Sequence, residues 1–260
     1  MKKLLLFLLL AVPVMMWAQS PFDGTWKIDL NKAKLPKKPD EYLLKDGVYE
    51  CKTCKPELKV KADGQMQPVS GHPYFDMFMV KVVDDKHVEM ASQKAGKDVG
   101  KSNLSVSDDE NTLTEAWTYY GNPTGGPVSG TSTSKRVGKA PAGANAISGS
   151  WKTEKEDVAS NDALIFTFKT TGGDTMSYSS PTGQSYTAKL DGKQVPYVGD
   201  PGTTTVSLRR IGDAIEETDY RDGKVITIAK MTVSPDGKTM TAEVDDKLHG
   251  TKATYIAEKQ

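Results

Sequence analysis

The octapeptide FDGTWKID at residues 22–29 returns as ISGSWKTE at 147–154, and the likeness continues along the chain. KADGQMQPVSGHP at 61–73 aligns with KLDGKQVPYVGDP at 189–201, LSVSDDENTLTEA at 104–116 with MTVSPDGKTMTAE at 231–243, and GTSTSKRV at 130–137 with GTKATYIA at 250–257. The four blocks keep their order while the offset drifts between 120 and 128 residues. That is the pattern of two copies of one module whose insertions and deletions fell in loops. Whatever one copy folds into, the other must fold into as well. The first β module is placed at 21-138 and the second at 146-260, with the small residues and Pro of 139-145 as a linker.

Each copy reads as antiparallel sheet. Runs rich in β-branched and aromatic residues, such as MFMVKVV, TTTVSLRRI and KVITIAKMTVS, alternate with Asp-Gly, Gly-Asp and Ala-Gly-Lys turns. In SPDGKTM, Pro235 presets a turn and Gly237 can take positive φ. No stretch of a dozen or so residues carries a helical apolar period with caps. The expected fold class is therefore all-β: two tandem homologous antiparallel β modules, each a small barrel or sandwich, because exposed sheet edges must be closed or covered. A barrel of about eight strands is either filled by side chains or just wide enough for one small ligand, and that interior is where a function can enter.

The Gly-x-Trp at the head of each copy, around Trp26 and Trp151, resembles the first signature of the lipocalin or calycin group, whose Trp closes one end of an up-and-down barrel. Thr218-Asp219-Tyr220 is similar to that group's second signature. The first copy departs from it with Ala91-Ser92-Gln93, and Arg136, the candidate to pack on the Trp, is matched by Ile256 in the second copy. On the residues alone, Trp26 and Trp151 read as large core anchors of a first strand. The blocks YLLKDGVYECKTC, GHPYFD and VKVVDDKHVE resemble an uncharacterised family of exported bacterial all-β proteins, which implies export and brings no activity.

The chain opens MKKLLLFLLLAVPVMMWAQS, with Lys2 and Lys3 ahead of an apolar run and Ala18 before a cleavage point. A signal peptide is expected at 1-18, giving a periplasmic or secreted protein. The run is shorter than the roughly 20 residues of a bilayer span, so no membrane span is expected. Of 34 basic and 34 acidic residues, removing Lys2 and Lys3 leaves two net negative charges. Lysines thicken in KAKLPKK, but Asp29, Asp40 and Glu41 flank them, which describes a mixed-charge surface and no nucleic-acid partner.

Cys51 and Cys54 are the only cysteines. In an oxidising compartment they are expected to form a disulfide, with a redox dithiol or a metal site as alternatives. Lys55 stands where haem attachment would need His, His72, His87 and His249 are scattered, and no cofactor or metal is implied. Ser132 to Lys135 spells Ser-x-x-Lys by chance, inside a Thr/Ser-rich strand. The carboxylate pairs Asp84-Asp85, Asp108-Asp109, Glu216-Glu217 and Asp245-Asp246 read as solubilising turn tips, and Glu216 and Glu217, as strand neighbours, face opposite sides.

With no catalytic constellation in view, the expected function is an exported, non-enzymatic protein binding a small, partly apolar molecule in or between the β modules. The alternative is an envelope structural or protein-interaction module using loops such as 121–130. Third is a hydrolase or isomerase with a dispersed site, betrayed by a buried cluster of ionisable side chains opening to one cleft. The first copy alone carries CKTC and His72. Residues 51–76, with His72, Tyr74 and Asp76, are therefore expected to carry any function, and their counterpart in the second copy to be scaffold.

Overall fold

The computed structural model describes residues 20–260, so the expected leader at 1-18 lies outside the described residues. Strand follows strand along the chain, interrupted by single 3-10 turns at Leu30–Lys32 and Asn161–Leu164. After β1 (Gly24–Ile28) come β2 (Asp40–Lys45), β3 (Val48–Cys51), β4 (Leu58–Lys61), β5 (Gln67–Pro68), β6 (Met77–Val82), β7 (His87–Lys94), β8 (Lys97–Val106), β9 (Thr112–Tyr119), β10 (Val128–Gly138) and β11 (Gly149–Val158). The remainder is β12 (Ile165–Gly172), β13 (Thr175–Ser179), β14 (Ser185–Lys189), β15 (Val195–Pro196), β16 (Thr205–Ile211), β17 (Ala214–Arg221), β18 (Lys224–Val233), β19 (Thr239–Asp246) and β20 (Thr251–Lys259).

These strands form two ten-stranded antiparallel sheets, each a nearly closed barrel, in the orders β4-β3-β2-β11-β10-β9-β8-β7-β6-β5 and β14-β13-β12-β1-β20-β19-β18-β17-β16-β15. The all-β, two-module expectation therefore holds, but the barrels are not divided as the repeats are. Strand β1, the GTW strand of the first copy, lies between β12 and β20, with Trp26 opposite Phe166 and Lys259. Strand β11, the GSW strand of the second copy, lies between β2 and β10, with Trp151 opposite Asp40 and Arg136. Each copy has lent its first strand to the other barrel.

The first barrel is thus one continuous stretch, 40–158, and the second is 165–259 completed by β1. Residues 139-145, expected as a linker between modules, instead join adjacent strands β10 and β11 within one barrel. There Asn145 N–H donates to Leu44 O at 2.9 Å and its Nδ2 to Asp84 O at 3.1 Å. The segment that crosses between barrels is 29–39. It is tied to β20 by Asp29 N–H to Ile256 O (2.8 Å) and by reciprocal bonds between Lys34 and Thr254.

The repeated Asp-Gly loops close the barrels. At each, the Asp carboxylate accepts the N–H two residues on, Gln65 to Asp63 (3.0 Å) and Lys193 to Asp191 (2.9 Å), a turn made by the side chain. Gly64 and Gly192, at φ 77° and 81°, then aim their N–H groups across the seam at Val80 O (2.9 Å) and Leu208 O (2.8 Å). Glycine is required because it alone takes this left-handed geometry without strain. In the second barrel Ser185 and Val198 also exchange both backbone bonds. In the first, Gln67 supplies the missing pair from its side-chain amide, bonding Lys61 N–H and O.

A buried Trp floors each barrel. Trp26 and Trp151 donate their indole N–H at 2.8 Å to Phe22 O and Ile147 O, the carbonyl four residues earlier in each case. Arg136 lies 4.0 Å over the Trp151 ring and donates to Ser148 O and Ala146 O at 2.7 Å. Over Trp26 the corresponding charge is Lys259, at 5.1 Å. The Arg–Trp pairing expected within one copy is therefore made between copies, a direct result of the strand exchange. Around these floors pack two dry clusters, Leu44, Val80, Val88, Leu104 and Leu113 in one barrel and Phe168, Met176, Leu208, Ile215 and Met240 in the other.

Candidate functional site between the barrels

Away from the Trp floors the barrel interiors turn polar, and the two mouths meet. Three neighbouring cavities of about 370, 490 and 480 Å³ are each lined from both barrels. In one, Trp117 and Tyr119 of β9 face Phe166, Tyr178 and Tyr197. In another, His72 and Tyr74 face Asp200, Asp219 and Arg221. The third sets Asp40 and Glu156 against Asp246 and His249. Volumes of this size suit small organic molecules.

The second barrel contributes the chemically pointed wall. Ile215, fully buried, fixes which side of β17 faces inward, and the two-residue period then turns Glu217 and Asp219 into the lumen. Around them stand three tyrosines. Tyr178 and Tyr186 stack at 5.0 Å between ring centroids, and Tyr197 lies 5.5 Å from Tyr186 and 6.3 Å from Tyr178. The Tyr186 hydroxyl donates to Glu217 Oε2. Asp219 Oδ1 is buried with no hydrogen-bond partner among the described residues. Tyr186 belongs to the second barrel's apolar cluster, with Tyr178 and Tyr197 packed against it, while Tyr178 and Tyr197 also line the cavity shared with Trp117 and Tyr119.

Burial governs the titration of this wall. It raises the Glu217 carboxyl, against the Tyr186 hydrogen bond, and raises Asp219 further with help from the negative Glu217 and Asp200. Tyr178 is pushed up to about 12, first by burial and then by Glu217. The first barrel's mouth is acidic as well. Burial lifts Glu115, Glu156 and Asp40, with Ser132 donating to Glu156 Oε2 at 2.7 Å and Thr53 to Asp40 Oδ1 at 3.1 Å.

Matching the two copies by strand register shows that the tyrosine and carboxylate wall belongs to the second alone. Leu208 faces Glu217 across β16 and β17 as Val80 faces Met90 across β6 and β7, and Val206 faces Asp219 as Phe78 faces Ser92. Tyr178 sits between Phe168 and Tyr186 as Cys51 sits between Tyr42 and Leu58. The first copy carries Met90, Ser92, Cys51 and Leu58 where the second carries Glu217, Asp219, Tyr178 and Tyr186.

The expected functional region, residues 51–76, and its counterpart in the second copy both border the shared cavity. His72 and Tyr74 do reach the shared cavity. His72 is buried and stacks on Phe75 at 4.6 Å, and burial lowers its imidazole. Tyr74 reaches the second barrel, where burial and Asp200 raise its hydroxyl. Asp76 does not join them, since its Oδ2 accepts the Ala95 N–H at 2.9 Å and holds a hairpin turn. Cys51 and Cys54 are bonded, with Cα atoms 5.4 Å apart, and clasp the turn after β3.

Glu217 is corrected too: read as half of a solubilising tip, it lies inside the barrel, and only Glu216 points outward. Loop 121–130 is not wholly free either, since Thr124 donates from its backbone N–H to Thr182 O and from its hydroxyl to Pro181 O. Among the described residues no group of three or more His, Cys, Asp or Glu is placed to hold a metal, and no helix is long and apolar enough to cross a membrane.

Fold and cavities together define a two-barrel all-β protein with acidic and aromatic clefts lined from both barrels. No protein-family model and no curated protein matches the chain.

Proposed function

We propose that the protein is an exported, non-enzymatic carrier that holds a small, partly apolar molecule between its two barrels. The observation that supports this most is the pair of cavities where the barrels meet, one lined by Tyr178 and Tyr197 with Trp117 and Tyr119, the other by Asp219 with His72 and Tyr74. Gentle purification of the exported protein followed by native mass spectrometry tests the reading. A bound molecule that is lost on Tyr178→Ala supports it; an empty protein, or cargo unaffected by that change, sinks it. Amino-terminal sequencing of the same material tests export, with a start near Gln19 expected.

A second reading has one specific observation in its favour. The buried ionisable cluster expected of a dispersed hydrolase or isomerase site is the Glu217, Asp219 and Tyr186 group. Recovery of the bound molecule chemically unchanged after prolonged incubation favours the carrier, and its conversion favours the enzyme.

A further inference from the structure

We propose that the molecule held between the barrels is an organic cation, an amine on an aromatic or aliphatic body, seated on Asp219. The proposal rests on the carrier reading and adds the charge of the ligand.

Three independent features converge on it. First, Asp219 Oδ1 lacks any donor although it is buried, so the folded protein leaves unmet a need that an incoming N–H group fills. Second, the rings of Tyr178 and Tyr197, 6.3 Å apart, line the adjoining cavity with aromatic surface, which attracts positive charge. Third, carboxylates outnumber fixed cations, three to two, in the cavity that Asp219 lines. Asp200 and Asp246 line the same cavity as Asp219. Arg221 donates Nε to Gly202 O at 2.6 Å, and His249 Nδ1 pairs with Asp246 Oδ2 at 2.7 Å. Lys55, on the first barrel's side, is the remaining fixed cation of that cavity.

An anionic ligand would sit against several carboxylates. A neutral alcohol would donate to Oδ1 and do nothing to hold the buried carboxyl ionised. An ammonium group does both, with a charge-assisted hydrogen bond to Asp219. Because the same registers of the first barrel hold Met90 and Ser92, one seat per chain is expected.

The test is titration calorimetry on the full mature chain with three probes of nearly equal shape: phenethylamine, 2-phenylethanol and phenylacetate. The amine is expected to bind at least about tenfold more tightly than the alcohol, with phenylacetate weakest. Asp219→Asn, and Asp219→Ser, the residue the first barrel carries at that register, should reduce the amine to the level of the alcohol while leaving the alcohol unchanged. Thermal melts confirm that both variants fold. Equal or tighter binding of the alcohol or phenylacetate, or an amine preference that survives both substitutions, overturns the cation while leaving the carrier reading in place. If no probe binds, the molecule recovered by native mass spectrometry decides: a cation upholds the proposal, and a neutral or anionic molecule overturns it. An empty protein that binds no probe overturns both readings.

Discussion

Asp219→Asn isolates the cost of holding a carboxyl inside the second barrel. Burial, then Glu217, then Asp200 push this carboxyl from 3.8 up to about 8 in the folded chain. The unfolded chain ionises near the ordinary value, so between these limits the native state holds one proton more than the unfolded state. Stability then falls as pH rises: the contribution is fully present below the unfolded value and is lost as pH climbs toward the folded one. At about 1.4 kcal/mol per pH unit over roughly three units, the charge costs at most about 4 kcal/mol at neutral pH. Discounted for solvent screening this is about 2 kcal/mol, a shift of about 1 M in the urea midpoint. Asn keeps the shape and has no proton to lose. Urea unfolding of both proteins should therefore coincide near pH 4 and diverge toward pH 8, with the variant the more stable. Taking the difference cancels surface carboxylates such as Asp84, Asp109 and Asp236, whose acid loss both proteins share. A difference that stays constant with pH, or one that favours the wild type as pH rises, would refute the reasoning.

Arg136→Ala removes the cation over Trp151 and leaves Ser148 O and Ala146 O without their donor, so a loss of about 2–4 kcal/mol is expected in thermal or urea unfolding. A loss below about 1 kcal/mol contradicts that role. A chain beginning at Lys32 lacks β1, and hydrogen exchange should then show protection lost from 165–259 and kept in 40–158. Loss centred on 40–158 instead would contradict the strand exchange. Replacing Cys51 and Cys54 together by Ser opens a closure of two intervening residues, for which under about 2 kcal/mol is expected, and a larger effect would show that the clasp supports more than its own turn.

Much of this architecture could be read before folding. Two copies, antiparallel strands and Asp-Gly turns are local properties: a β-branched alternation or a Gly at positive φ carries its conformation wherever it sits. Trp26 and Trp151 were likewise legible as anchors, because a large apolar ring at the head of a strand has few places to go. His72 and Tyr74 stood out through asymmetry between the copies, but Asp76 beside them proved to be turn chemistry, which its sequence does not distinguish.

Three features depended on tertiary structure. The exchange of β1 and β11 is invisible in sequence because both strands carry the same Gly-x-Trp pattern. Glu217 read as a solubilising tip and Asp219 as part of a Thr-Asp-Tyr signature until Ile215 shows which side of β17 is the lumen, since alternation tells that two faces exist and not which one is enclosed. Tyr178, Tyr186 and Tyr197 lie on separate segments, and only the curvature of a closed sheet brings their rings together above the carboxylates. The sequence by itself determined what each segment is; closure of the barrels, mouth against mouth, decided which side chains meet and which are left facing open space, because enclosure is a property of the whole surface and of no single strand.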